Sequence, residues 1–481
     1  MRTVAQHPLS AVRLAAQGLG LIVAAVVSGV LAAGEADAWL GRKPALLLLV
    51  ALVGGTFLVA FSFLGSAAVL IWPVAATGGY LLELPRSHPV ITFDRVWIGG
   101  LLAYIALTPR RTVRTAATRL LLFALVWLAV SFGVRAIWTD TSVTGPAKTW
   151  VDAIVLPTIL FVACERYSLL GAGRVRRLAG SLMVAGGILG AIGLAERIFG
   201  FELASLTGGT ARYDALLDTT RISGPYPAPE PYALVLIVCF AATLYWLFAR
   251  VTQRGYGWGL TFAALQLIGI GLALFRAGWI AALLVGVATF GFRPGRFGRG
   301  FAVTALAVVL ALAVTAQLQS TNTVGERLHN TNNIDVRLAT YKQGFEMFRS
   351  APLFGIGVDQ YHVVAKARPP ETVSGVQSVT WPHSSFVGLL AEQGIVGFFP
   401  MVLLSYAMWR FLRGLREASF RGRDETLLLG TVTGAVLGYL IMSVTLTMLP
   451  YEPSNAFFAA LLGAASGRLD AVAHEAREAS T

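Results

Sequence analysis

Charge is scarce in this chain. Asp, Glu, Lys and Arg together make up 13% of its 481 residues, against roughly a quarter in an average soluble domain. Hydrophobic residues supply 56%, so an ordinary soluble domain, a disordered chain and a fibrous one are all excluded. Cysteine is scarcer still. Cys164 and Cys239 both lie inside apolar segments, which excludes a disulfide framework and a CxxC metal site. The six histidines (His7, His88, His329, His362, His383, His474) include no pair at metal-ligand spacing, and no HExxH occurs. Ser384 and Ser385 lack a GxSxG elbow, and Gly355-Ile356-Gly357 is a lone GxG that reads as a turn. Acid is the rarer charge, 25 Asp and Glu against 38 Lys and Arg, for a net charge of +13. In a soluble protein such an excess points to nucleic acid. Here the bases do not gather into one soluble face, so no nucleic-acid partner is expected.

What the chain has in abundance is long apolar runs. A membrane-spanning helix needs about 20 mostly apolar residues. Candidates fall at roughly 14–33, 45–63, 66–83, 94–108, 119–138, 150–168, 178–198, 230–249, 257–275, 277–293, 300–318, 385–411, 427–448 and 456–467. That predicts an all-α polytopic membrane protein with about 12–14 spans. The first run exceeds the apolar core of a cleaved signal, so Ala36-Asp37-Ala38 is expected to stay uncleaved. Five short basic segments alternate with segments of low basic density. They hold Arg110, Arg111, Arg114 and Arg119; Arg174, Arg176 and Arg177; Arg250 and Arg254; Arg293, Arg296 and Arg299; and Arg410, Arg413, Arg416, Arg421 and Arg423. By the positive-inside rule these loops are cytoplasmic, and the excess charge is mainly a topology signal plus attraction to anionic membrane lipid.

The opposite side carries the long segments, 199–229 and above all 319–384. A loop of that length between spans is usually functional. Leu338, Tyr341, Phe345 and Phe348 recur at helical spacing, and Ser350, Pro352, Gly355 and Gly357 then stop the helix. Such a helix lies on the membrane surface or covers a cavity between spans, and the two are compatible. The stretch from His383 to Phe411 would be about 42 Å long as one helix, more than a ~30 Å hydrocarbon core. Gly394, Gly397 and Pro400 interrupt it, which predicts a short helix over 384–392, a break near Gly394, and a span beyond. The chain thus divides into spans over 1–318 including the outer segment 199–229, a large outer loop 319–384, spans over 385–467, and an Ala- and Glu-rich cytoplasmic tail 468–481.

Four polar residues stand out on the outer side: Arg221, Arg276, Arg337 and His383. Each has an ordinary reading: a loop charge, a snorkelling interfacial arginine, a solvated helix charge and a structural hydrogen-bonder. Together they make a chemical set. Arginine stays charged and grips phosphate bidentately, and a histidine near neutrality can take a proton from a hydroxyl nucleophile. That describes transfer from a lipid diphosphate to an alcohol. Glu392 falls near the predicted break, where it pairs with a cationic side chain or faces water. Glu35 and Asp37 read as a solvated loop, and no metal or cofactor is called for. A transporter or flippase of lipid-linked sugars and a membrane scaffold are the rival readings. No convincing internal repeat of the kind common in transporters is seen.

The motifs carry a resemblance. His383-Ser384, nine residues, then Gly394-Ile395-Val396-Gly397 resembles the signature of the O-antigen ligase family. Arg276 is similar to that family's short-hairpin arginine, with Phe275 where serine is common. Arg337 ahead of Pro352-Leu353-Phe354-Gly355-Ile356-Gly357, and Arg221-Ile222-Ser223-Gly224, resemble its other arginine elements. The resemblance implies a metal-independent, inverting glycosyltransferase of the second GT-C architecture in the bacterial inner membrane. The large loop 319–384 and the active site would then be periplasmic. The donor would be glycan on undecaprenyl diphosphate and the acceptor lipid A–core or a growing polysaccharide. His383 would be the general base, Arg276, Arg337 and Arg221 the diphosphate grip, and Glu452 a supporting acid. Ligases and polymerases of O-antigen or exopolysaccharide both fit, with the His motif favouring a ligase.

Overall fold

A computed structural model describes residues 61, 64–79, 92–108, 112–138, 144–203, 213–214, 219–249, 255–291, 300, 305, 308, 332–420 and 422–480. The spans expected at 14–33, most of 45–63 and nearly all of 300–318 lie outside these residues, as do Glu35 and Asp37. Among the described residues the helices are α1 Ser66–Ala76, α2 Phe93–Leu107, α3 Ala116–Trp138, α4 Thr144–Trp150, α5 Leu156–Ser168, α6 Ala172–Phe199, α7 Pro229–Ala249, α8 Tyr256–Leu272, α9 Arg276–Gly291, α10 Asn332–Ser350, α11 Tyr361–Ala367, α12 Ser385–Ser419, α13 Arg423–Thr445 and α14 Glu452–Glu478. A π-helical turn, Val151–Val155, joins α4 to α5. The strands are two-residue ladders, β1 Tyr213–Asp214 with β2 Thr219–Thr220 and β3 Thr372–Val373 with β4 Val376–Gln377. Seven helical stretches, one of them Pro146–Ser168 running through α4, the π-helical turn and α5, are long and apolar enough to cross a bilayer, and α1, α8 and α9 are shorter apolar ones. This is an all-α polytopic membrane protein.

The bundle is organised around α7. Its 21 residues extend about 32 Å, it is buried along nearly its whole length, and it packs against α6, α8, α9, α13 and α14. Its two ends define two polar faces. At the first, Glu230 pairs with Arg221. At the second, the Phe248 carbonyl accepts a hydrogen bond from Arg423 Nη2 at 2.8 Å. From there α13 runs back toward Val444 and the first face.

The second face is the arginine-rich one, and its buried acids neutralise part of the positive charge. Arg114 grips Glu165 with two bonds of 2.8 Å, and Arg468 reaches Glu425 at 2.6 Å. Several arginines read as loop residues stand inside helices. Arg174, Arg176 and Arg177 fall in the first turns of α6, and Arg410, Arg413 and Arg416 in the last turns of α12. A helix that continues past the hydrocarbon keeps its backbone paired while long side chains reach the interface. The segment read as the short span 456–467 and the tail 468–481 is likewise one helix through Glu478. Buried Asp470 in α14 anchors that end, accepting the Thr115 amide at 2.8 Å and the Thr118 hydroxyl at 2.9 Å.

Of the large outer loop the structure describes 332–384, and α10 forms its spine. The face that packs inward is Ala339, Thr340, Gln343, Gly344 and Met347. The apolar residues used to infer the helix point partly the other way, Leu338 and Phe345 being 48% and 46% exposed. With Ile334, Leu353, Phe354 and Ile395, also exposed, they form the kind of apolar surface that meets lipid. Spacing located the helix, and the exposure of Leu338 and Phe345 accords with the surface-lying alternative for that face.

Candidate functional site

Arg276 opens α9 directly after the turn that ends α8. The chain reverses through Leu274, a non-glycine residue at φ 51°, a conformation uncommon for a branched side chain. The loop carrying Arg221 is pinned to this turn. The Ile222 amide donates to the Leu272 carbonyl at 3.3 Å, and Arg221 Nε donates to the Ala273 carbonyl at 3.1 Å. Arg221 Nη1 lies 3.0 Å from Glu230 Oε1, both side chains being nearly buried.

Arg337 completes the group from α10. Burial moves its guanidinium below the ordinary arginine range. Tyr341 opposes that shift, the charges of Arg276 and Arg221 add to it, and Glu230 opposes it. Arginine does not lose its proton in proteins. The three guanidiniums are thus gathered beside the Glu230 carboxylate, and several arginines together are the kind of side chain that grips an anion.

His383 is held by its backbone and its neighbours. Tyr341 follows Arg337 by one helical turn, on the same face. Its hydroxyl sits 3.0 Å from the His383 carbonyl and 2.6 Å from that of Val444. Thr447 donates its hydroxyl to the Pro382 carbonyl. Ser384 caps α12, accepting the Val387 amide at 3.5 Å. The next residue, Ser385, exchanges bonds with the end of α13. Its amide reaches the Leu446 carbonyl at 3.2 Å, and its hydroxyl accepts the Met448 amide at 2.8 Å. One face of α10 thus carries both the guanidinium that joins the arginine group and the phenol that fixes the histidine segment.

The expected break in α12 is at Gly394, with φ 64° and ψ −164°, a region essentially reserved for glycine. The 352–357 turn is stitched onto it by main-chain bonds. Ile356 and Gly357 donate to Ala391 and Glu392 at 3.0 and 2.9 Å, and Ile395 and Val396 donate to Pro352 and Leu353 at 2.9 and 3.1 Å. Side chains cannot intrude here. A Cβ on Gly355 would fall 2.2 Å from the Glu392 carbonyl carbon, and one on Gly394 would fall 2.5 Å from that of Leu353. Glu392 is half-buried and forms no ion pair among the described residues. Its Oε1 accepts the Tyr361 amide at 3.0 Å, which satisfies an orphan donor at the start of α11.

Residues 260–402, from α8 to the middle of α12, match a family model described as O-antigen ligase. Through this segment the chain is similar to the O-antigen ligase family. No curated protein matches the chain. The family is one of enzymes of glycan assembly, ligases and polymerases, acting on lipid-linked glycan and polysaccharide.

The segment that matches the O-antigen ligase model contains Arg276, Arg337, His383, Glu392 and the Gly394 break. Arg221 comes from outside it, and so do three contributors that the sequence reading passed over. Glu230 pairs with Arg221, and Val444 shares the Tyr341 hydroxyl. Arg135 in α3 donates to the carbonyls of Phe354 and Gly355 at 2.8 and 3.1 Å, tying the stitched turn to the N-terminal helices.

Glu452 does not join the arginines. It opens α14 among Asp94, Asp152, Arg95 and Lys148, where Arg95 holds Asp152 by two bonds of 2.7 Å on the π-helical turn. Buried Tyr226 lies on the Glu452 side. It stands five residues after Arg221 and feels the charges of Asp94 and Glu452. A groove of about 370 Å³ lined by Arg410, Arg413, Glu417 and Leu469 lies at the opposite, arginine-rich face and plays no part in this site.

Proposed function

We propose that this protein transfers glycan from an undecaprenyl-diphosphate-linked donor to a hydroxyl acceptor at the periplasmic face of the bacterial inner membrane, as an inverting, metal-independent enzyme of the second GT-C architecture. The observation that carries the reading is the convergence of Arg221, Arg276 and Arg337 beside the α10 face that holds His383. The acceptor oxygen attacks the anomeric carbon from the side opposite the diphosphate, and its proton passes to the His383 imidazole. The bond from the anomeric carbon to the diphosphate oxygen breaks, and the electron pair stays on that oxygen. The arginines stabilise the charge that develops there. Positive-inside topology supports the sidedness, because the arginine-rich face lies at the other end of α7. The acceptor we favour is lipid A–core, from the His383-Ser384 motif. A polymerase extending a polysaccharide would use the same grip and base.

Reconstitution of the purified protein in lipid with an undecaprenyl-diphosphate oligosaccharide, with and without lipid A–core, tests the reading. A single adduct on lipid A–core is the expected product. A ladder of lengthening lipid-linked chains without added acceptor would establish the polymerase instead. Movement of donor across the bilayer without covalent transfer would replace both with a transporter.

Tyr341→Phe removes one hydroxyl from two carbonyl partners. Turnover is expected to fall about tenfold, the equivalent of one ~1.4 kcal/mol hydrogen bond, with little change in donor KM. A rise in KM alone would mean that Tyr341 serves the arginine group and not His383.

A further inference from the structure

The groove at the arginine-rich end is a feature that glycan transfer does not use. Its volume is about 370 Å³, and it lies between the start of α3, the last turns of α12, and α14, with Thr115, Arg410, Arg413, Glu417 and Leu469 among its walls. Two apolar stripes lead to it. On α12, Phe399, Val402, Tyr406 and Trp409 are exposed at spacings of three and four, which is one face of a helix. Exposed Arg413 continues the same line. On α3, which packs against α12, Phe123, Trp127, Val130 and Val134 are exposed at the same spacings, and exposed Arg119 heads that line. The start of α3 meets the end of α12 at the groove, so both stripes finish in a guanidinium on the same side. Near that end the rings of Tyr406 and Trp409 lie 5.7 Å apart, with the Arg413 guanidinium 6.0 Å from the Trp409 ring. Aromatic side chains next to a base, below an apolar stripe, are the pattern of a membrane–water interface.

We propose that this groove seats the phosphate of an anionic glycerophospholipid such as phosphatidylglycerol, with the acyl chains lying along the α3 and α12 stripes. The positive-inside rule makes this end cytoplasmic, so the lipid comes from the cytoplasmic leaflet. The inference is independent of what the outer site catalyses. Arg410 and Arg413 supply the donors that grip phosphate oxygens, and basic pockets between spans on this side suit acidic headgroups. Glu417 is the acid on the groove wall. Its Oε1 lies 3.5 Å from Arg413 Nε, with both side chains well exposed. Exposed pairs of that kind contribute little, so a phosphate can replace the carboxylate at Arg413. The nearby acids of α14 are engaged elsewhere, Asp470 with Thr115 and Thr118 and Glu475 with Arg468. A lipid held here would bridge α3 to α12 and α14, and so join an early span to two late ones.

The test titrates the full chain, delipidated in detergent, with phosphatidylglycerol and with phosphatidylcholine of the same acyl chains, and reads bound lipid by native mass spectrometry. Wild type is expected to hold one phosphatidylglycerol on the order of tenfold more tightly than phosphatidylcholine, since each base near an anionic lipid is worth about fivefold. Arg410→Gln/Arg413→Gln should lose that preference. Arg177→Gln/Arg416→Gln removes the same charge from exposed positions at the same end but outside the groove, and should keep it. Equal losses in the two double variants would show diffuse attraction to a basic surface and overturn the site. Glu417→Gln removes the acid from the groove wall and should bind phosphatidylglycerol about fivefold more tightly, a gain that misfolding cannot produce. Unchanged or weaker binding in Glu417→Gln overturns the inference. Glycerol 1-phosphate that displaces the lipid at equal concentration would overturn the lipid assignment, because the stripes would then contribute nothing.

Discussion

Replacing His383 with alanine is expected to reduce glycan transfer by on the order of 10²–10⁴-fold, the usual contribution of a positioned general base. Membrane insertion and folding should be unaffected, because the segment is anchored through atoms that the substitution leaves in place. The His383 carbonyl still meets Tyr341, Ser384 still caps α12, and Ser385 still engages Leu446 and Met448. Donor affinity should change little, since the arginines are supplied by other elements. Single-turnover transfer measured beside donor binding separates these quantities. Full activity in His383→Ala would remove the base from the mechanism. Lost binding with an unchanged rate of chemistry would place His383 in the donor grip.

Gly394→Ala is expected to be as damaging, by a different route. The residue sits at positive φ, where an L side chain costs on the order of 1–3 kcal/mol, and its Cβ would meet the Leu353 carbonyl at 2.5 Å. The clash is with backbone and cannot be relieved by a rotamer change. The turn must therefore separate from the break, releasing four main-chain bonds together with the bond that the Tyr361 amide donates to Glu392. We expect a protein that inserts, melts several degrees lower, and has lost transfer. Gly355→Ala should behave alike. Gly375→Ala is the control, since Gly375 is also at positive φ, 80°, but has nothing within 4 Å of a Cβ. Its variant should lose only the strain. Equal melting temperatures for Gly394→Ala and Gly375→Ala would mean that the stitched turn contributes nothing beyond local conformation.

The parts of this architecture that the sequence announced are those with a side-chain signature. Apolar runs marked the spans, and glycine with proline marked the break after His383. Arginine in a minimal turn marked position 276. Main-chain docking has no such signature. Nothing in the residues of 352–357 says that their amides face the carbonyls of 391–392, so Glu392 looked like a charge in search of a cation. Glu230 was hidden for another reason. It opens the apolar run Pro229–Ala249 and reads as the polar edge of a span until Arg221 is seen to lie against it. The helical spacing in α10 was correct, but periodicity cannot distinguish a face that packs on protein from an exposed one, and Leu338 and Phe345 are exposed.

The burial of α7 has a consequence for how the protein is made. A helix enclosed by α6, α8, α9, α13 and α14 has almost no contact with lipid in the finished protein, yet it enters the bilayer when only its predecessors among these have been synthesised. For that interval the surface of α7 that α13 and α14 will cover must meet lipid or temporary neighbours, until those helices arrive some 170 to 200 residues later. Biogenesis therefore has a long window in which the central helix is only partly enclosed, and truncations that stop before α13 should be cleared by membrane quality control despite retaining the whole of residues 260–402.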